Sequence, residues 1–185
     1  KVTYEYEEGE VKVVATVDKA DAIPDDAQLR VTRVTPESRD YNYDAYMDAL
    51  NKGVADEAQE HTGDNTLLYD IAFVQTQKDG TVVELQPAEG AVRVNIEFKR
   101  QQITEGLDAE NAAGVDVTHL PLKDEVQKAT DTTADAKNIT ANDIVVEELG
   151  AAEVTPTGEN SLEIKTDNFS VYAISYTVDF TYDGY

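Results

Sequence analysis

The stretch Val92-Arg-Val-Asn-Ile-Glu-Phe98 alternates apolar and polar side chains at every position. A period of two is typical of a strand with one face in a core and the other in water. The same alternation occurs in Val11–Val17 and in Leu29–Val34. Asp79-Gly80 lies between two apolar pairs and predicts a hairpin turn, because glycine adopts positive φ without strain. The chain is therefore predicted to be all-β, built mainly of antiparallel β-sandwich lobes.

Two other stretches are apolar in both alternate sets of residues, which predicts strands with a neighbour on each side. One is Leu67–Val74 and the other is Phe169–Tyr176. A half-buried strand would keep one set polar. We therefore expect both stretches to lie centrally in a sheet.

One segment has the period of a helix. Its apolar residues begin at Tyr43 and recur three, four, seven and eleven positions later, at Tyr46, Met47, Leu50 and Val54. That spacing places them on one helical face. The pattern predicts a helix over about 42–58, inserted in the first lobe and capped at its start by Asn42 or Asp40. Gly53 either ends this helix or weakens it.

The alternation lapses near the middle of the chain, and this lapse predicts a domain division. We expect a first β lobe over residues 1–102, a connector over 103–113 and a second β lobe over 114–185. A single integrated unit is the open alternative. Both ends of the sequence fall in or beside strand-like runs, so we also expect neighbouring domains in a longer polypeptide.

The charge of the chain limits its partners. Its 185 residues include 38 acidic and 15 basic side chains, which give a net charge of -23 at pH 7, and no cysteine. Polyanions such as nucleic acid and anionic membranes require clustered Lys and Arg. No stretch approaches the roughly 20 apolar residues of a membrane span. We therefore predict no nucleic-acid partner and no membrane insertion.

Five landmarks in order along the chain resemble a module of large wall-anchored surface proteins of Gram-positive gut bacteria. They are Ala22–Leu29, Tyr43–Leu50, Leu68–Phe73, Val117–Leu122 and Thr166–Tyr172. The two-lobed arrangement with a closing Phe-Ser-x-Tyr strand is also similar, in fold, to the ZU5–UPA pair of eukaryotic adaptor proteins. The first resemblance implies an extracellular, cell-wall-anchored adhesin module of a gut commensal that takes part in host–microbe interaction.

A tyrosine cluster is the candidate binding site: Tyr41, Tyr43 and Tyr46. Tyrosine rings bury a large area at low entropic cost, which makes them efficient anchors. The spacing of Tyr43 and Tyr46 also fits a simpler interpretation, in which both rings pack the helix on its sheet. Tyr41 lies off that stripe and is the better interface candidate.

No pattern in the sequence predicts catalysis or a cofactor. The two histidines are His61 and His119, and no serine has the flanking glycines of a nucleophile elbow. Self-cleaving ZU5-type proteins use His-Phe-Ser, whereas Asn168-Phe-Ser170 stands here. Two histidines without cysteine do not predict a zinc site. Calcium stays open, although the Asp40–Asp44 segment lacks the glycine and glutamate of an EF-hand loop.

The sequence thus predicts a non-enzymatic module that binds a host glycoprotein, such as an immunoglobulin or mucin. The alternative is a passive spacer that presents a neighbouring domain. A binder should expose an apolar or tyrosine patch of a few hundred Å². A spacer should have a charged surface and its two chain ends at opposite ends of the fold.

Overall fold

The computed structural model describes residues 2–87, 92–99, 115–129 and 137–176. These residues form eleven strands: β1 (Val2–Glu8), β2 (Val11–Val17), β3 (Gln28–Val34), β4 (Thr66–Thr76), β5 (Val82–Leu85), β6 (Val92–Phe98), β7 (Val115–Leu120), β8 (Glu147–Glu148), β9 (Val154–Gly158), β10 (Ser161–Thr166) and β11 (Val171–Tyr176). Two α-helices are described as well: α1 (Tyr43–Asn51) and the short α2 (Asp124–Ala129).

The strands form two antiparallel sheets that pack face to face. The first sheet has the order β1-β2-β6-β10-β9, and the second has the order β3-β4-β11-β7-β8. β5 pairs with the end of β4. This architecture confirms the all-β prediction, with α1 as the one substantial helix. β4 and β11 each have a strand on both sides, as their apolar sequences predicted.

The sandwich core is built from the alternation seen in the sequence. In β2 and β6 every second residue is buried, and the residues between them are partly exposed. These inward side chains pack against the inward residues of β4 and β11, among them Phe73 and Ile174. Burial of these rings and branched chains removes apolar area from water, which is the main force that holds the sheets together.

A second apolar cluster lies on the outer face of the second sheet, beneath α1. It includes Tyr46, Met47 and Leu50 from the helix, and Leu68 and Ala173 from β4 and β11. This layer explains why β4 is apolar on both sides: its odd-numbered residues face the sandwich core, and Leu68 on its other face packs beneath the helix.

The helix is shorter than the sequence predicts. The Asn42 side chain caps its start by accepting a hydrogen bond from the Ala45 backbone N–H at 3.2 Å. α1 ends at Asn51, because Gly53 adopts a φ of 83° that cannot continue a right-handed helix. The predicted extension to residue 58 is wrong, and only a single 3₁₀ turn forms at Glu57–Gln59.

The two predicted lobes do not form separate sheets. β6 from the first half pairs with β10 from the second, and β4 pairs with β11. The division at residues 1–102 and 114–185 therefore does not follow the architecture, in which strands of both halves share each sheet and one core. The reason is that the apolar strands of each half are covered partly by strands of the other half. The predicted connector, 103–113, lies outside the described residues.

Candidate functional site

The outer face of the second sheet carries the predicted tyrosine site. α1 covers part of this face, and several side chains beyond the helix are polar. In register across the sheet, Arg30 and Thr32 of β3 lie opposite Ala72 and Asp70 of β4. Glu84 of β5 lies opposite Val74 of β4 and completes the polar part of the face. We call this part, made of Arg30, Thr32, Asp70 and Glu84, the polar face.

Tyr46 belongs to the core between helix and sheet. Its side chain is only 5% exposed, and it packs with Met47 and Leu50. Burial raises the pKa of its hydroxyl well above the ordinary value. A partner has no access to this ring in the structure. The packing interpretation, rather than the binding one, describes Tyr46.

Tyr43 and Tyr41 are partly buried at the margin of the same core. The Tyr43 hydroxyl reaches toward Gly63, where an added Cβ would lie 3.6 Å away. The Tyr41 hydroxyl donates a hydrogen bond of 2.5 Å to Oδ2 of Asp70. The structure thus brings the three tyrosines to one layer, but it leaves only parts of Tyr41 and Tyr43 at the surface.

Asp70 is the electrostatic centre of the polar face. Its pKa is raised because burial disfavours the ionised carboxylate, and the Tyr41 hydrogen bond and the Arg30 charge only partly offset this effect. Arg30 is engaged elsewhere, in an ion pair of 2.6 Å with Glu84. Burial, followed by the charge of Asp70, raises the pKa of Glu84 too. Two carboxylates therefore share one nearby cation on this face.

The raised pKa of Asp70 gives a prediction for Asp70→Asn. A carboxyl group whose folded pKa lies above its unfolded value stabilises the fold at low pH, and this contribution is lost as pH rises through the folded pKa. The amide keeps an acceptor for Tyr41 and carries no charge. We expect the variant to match the wild type near pH 4 and to gain relative stability toward pH 7.

Urea unfolding at several pH values measures this difference. Asp48→Asn is the matched control, since Asp48 is an exposed aspartate of α1. A variant that is destabilised most at pH 7 would contradict the prediction, because it would mean that the fold depends on the ionised carboxylate.

Each histidine contacts a serine, and the sequence did not reveal either contact. His61 Nδ1 lies 2.9 Å from Ser175 Oγ and 3.2 Å from Thr66 Oγ1. His119 Nε2 lies 2.6 Å from Ser170 Oγ. Burial lowers the pKa of both imidazoles. These pairs form between residues far apart in the chain, so only strand register brings them together.

Neither a metal site nor a membrane span is found in the described part of the chain. Among the residues that the structure describes, no group of three or more His, Asp or Glu side chains is placed to hold a metal ion. Asn42 of the Asp40–Asp44 segment caps α1, and Asp44 lies exposed in its first turn. None of the described helices is long and apolar enough to cross a membrane.

Comparisons with known proteins identify no relative of this chain. No protein-family model matches this chain, and no curated protein or solved structure shows significant similarity to it. Over the described residues, the molecule is an antiparallel β-sandwich with α1 on the outer face of its second sheet.

Proposed function

We propose that this chain is a load-bearing spacer in an extracellular, wall-anchored protein. The observation that carries the proposal is the position of the first and last described strands. β1 begins at Val2, which pairs with Val17 at one end of the sandwich. β11 ends at Tyr176, and this residue lies at the other end.

The position of Tyr176 follows from a chain of contacts. The backbone N–H of Tyr176 donates to the carbonyl of Asn65 at 2.9 Å, beside the start of β4, and Tyr69 of β4 packs against Phe98 at a centroid distance of 6.0 Å. Phe98 pairs with Val11, beside the turn that joins β1 to β2. Val2 lies at the opposite end of β1, a strand of seven residues, from this turn. Val2 and Tyr176, the first and last described residues, are therefore separated by roughly 20 Å along the sandwich.

The pairing of β1 suits a tensile load. Seven register pairs join β1 to β2, from Val2↔Val17 to Glu8↔Val11. A force that pulls Val2 and Tyr176 apart acts along β1, so the hydrogen bonds of this ladder resist it together. A force between Val2 and Val17 would instead open the ladder one pair at a time. The fold is therefore expected to be stronger along the direction that a spacer uses.

The described surface also fits a spacer. Its exposed large apolar side chains are valines at separate places on β1 and β5 and in the segment before β8: Val2, Val82, Val145 and Val146. The chain as a whole carries a net charge of -23. A surface of this kind keeps neighbouring copies apart in solution.

Single-molecule pulling tests the proposal. Because the chain has no cysteine, cysteine handles can be placed at residue 2 together with residue 176, or at residue 2 together with residue 17. We expect the first pair to unfold at clearly higher force than the second. Equal forces for the two pairs would contradict a load-bearing role. Forced unfolding reports an unfolding rate, so both pairs must be pulled at the same loading rate.

A second candidate function is the binding of a host immunoglobulin or mucin glycoprotein, with the outer face of the second sheet as the contact surface. The partial exposure of Tyr41 and Tyr43 favours it, and Val82 on β5 is 51% exposed. We expect surface plasmon resonance against IgA, IgG, IgM and mucin to show saturable binding that Tyr41→Ala and Val82→Asp both weaken. Lys12→Ala, on the first sheet, is the control. If binding is absent, or if Lys12→Ala weakens it as much as the other two variants do, the binding proposal is contradicted and only the spacer proposal remains.

A further inference from the structure

Three side chains at one edge of the second sheet form a nucleophile, a base and an orienting carboxylate. Tyr172 of β11 pairs with His119 of β7, and His119 pairs in turn with Glu147 of β8. Ser170 lies two residues before Tyr172, on the same face of the chain. Strand register thus places Ser170 and Glu147 on either side of the His119 ring.

The distances give each group a role. Ser170 Oγ lies 2.6 Å from Nε2 of His119, and Oε1 of Glu147 lies 3.5 Å from Nδ1. When the serine hydroxyl donates to Nε2, the ring hydrogen is on Nδ1, the nitrogen nearer to Glu147. The ring is 4% exposed and is stacked on Tyr172 at 4.6 Å, which fixes its plane. This is the order of groups that activates a serine in acyl transfer.

The imidazole is in the protonation state that a base requires. Burial lowers the pKa of His119, while the charges of Glu147 and Asp167 act in the opposite direction. The net direction is downward, so the ring is neutral at pH 7 and can accept the serine proton. Tyr172 faces the ring from β11, and its own raised pKa keeps its hydroxyl neutral.

The charge beside the serine favours an uncharged ester. Val145 is 36% exposed, and its backbone N–H donates to the carbonyl of Pro121 at 2.8 Å. Pro121 follows β7 at the level of Ser170, which immediately precedes β11. Glu147, whose side chain is exposed beside His119, would repel an anionic ester.

We propose that Ser170, with His119 as its base and Glu147 as the positioning carboxylate, is an acyl-accepting nucleophile for small uncharged esters. Oγ bonds to the carbonyl carbon as its proton passes to Nε2 of His119. The carbon–oxygen bond to the alcohol then breaks, and His119 returns the proton to the departing alcohol. Water, deprotonated by the same imidazole, releases the acid and restores Ser170. This activity goes beyond the spacer role and differs from the sequence-based expectation of a non-enzymatic chain, which the experiment below tests.

A fluorophosphonate probe tests the proposal on the intact protein. The serine oxygen bonds to phosphorus, fluoride leaves, and the hydroxyl proton passes to His119. We expect mass spectrometry to locate one label, on Ser170, and Ser170→Ala to remove it. His119→Gln should slow labelling by about 100-fold, the usual effect of removing a general base. Glu147→Gln should slow it less and shift its pH profile.

The second histidine–serine contact supplies a matched control. Ser175 is bonded to His61 at 2.9 Å, but it is 8% exposed and shares that nitrogen with Thr66. Ser175→Ala should leave labelling unchanged. The proposal is overturned if Ser170 of the wild-type protein stays unlabelled, or if its labelling is independent of His119. Because the wild type alone gives the labelled position, the test does not depend on the folding of Ser170→Ala.

Discussion

Replacing Phe73 with alanine should lower the free energy of unfolding by about 3–5 kcal/mol, the usual cost of deleting a fully buried aromatic ring. Phe73 lies in the middle of the sandwich core and is 0% exposed. Its ring makes edge contacts with Tyr4 at 5.1 Å and with Phe169 at 4.9 Å. Tyr4 belongs to β1 of the first sheet and Phe73 to β4 of the second, so the loss would weaken the contact between the two sheets.

Urea unfolding followed by circular dichroism measures this loss. Val82→Ala is the control, because Val82 is 51% exposed and its truncation should change stability by no more than about 0.5 kcal/mol. A Phe73→Ala loss below about 1 kcal/mol would contradict the prediction, since it would mean that the surrounding side chains close the cavity.

A fragment limited to residues 1–102, the predicted first lobe, should remain unfolded. It would lack β10, which pairs with β6, and β11, which pairs with β4. The inward residues of these strands would then be exposed to water, and two strands with long apolar faces would have open edges. We expect no cooperative thermal transition and an NMR spectrum typical of an unfolded chain.

The full chain is the control for this fragment, and it should unfold in one transition because its halves share both sheets. Mixing the fragment with residues 114–185 should restore β-structure, since the missing strands are then present. Cooperative unfolding of the isolated fragment would show that the first half holds its own core, contrary to the observed strand order.

The elements that follow a local pattern were predictable from the sequence. β2 and β6 have the expected alternation of burial, and the Asp79-Gly80 turn joins β4 to β5 with a φ of 88° at Gly80. β9 was missed because its five residues include Pro156 and have no apolar alternation. Proline is tolerated there because β9 is an edge strand of the first sheet.

The candidate sites were much less predictable. Helical spacing placed Tyr46 on an apolar stripe, but the sequence could not show whether a partner or the chain's own sheet covers that stripe. The structure shows that Leu68 and Ala173 lie in the same cluster as Tyr46. The carboxylate beside His119 is Glu147 of a neighbouring strand rather than the nearby Asp116, which lies on the other face of β7.

The sequence by itself determined the local structure and the charge: strands of period two, one capped helix and a strongly acidic surface. These properties depend on near neighbours, because backbone geometry sets which side chains share a face. Only the tertiary structure decided which strands pair, so that two predicted lobes became one sandwich and Ser170 came to lie beside His119. Pairing depends on how all apolar faces are buried at once, and no short stretch of sequence contains that information.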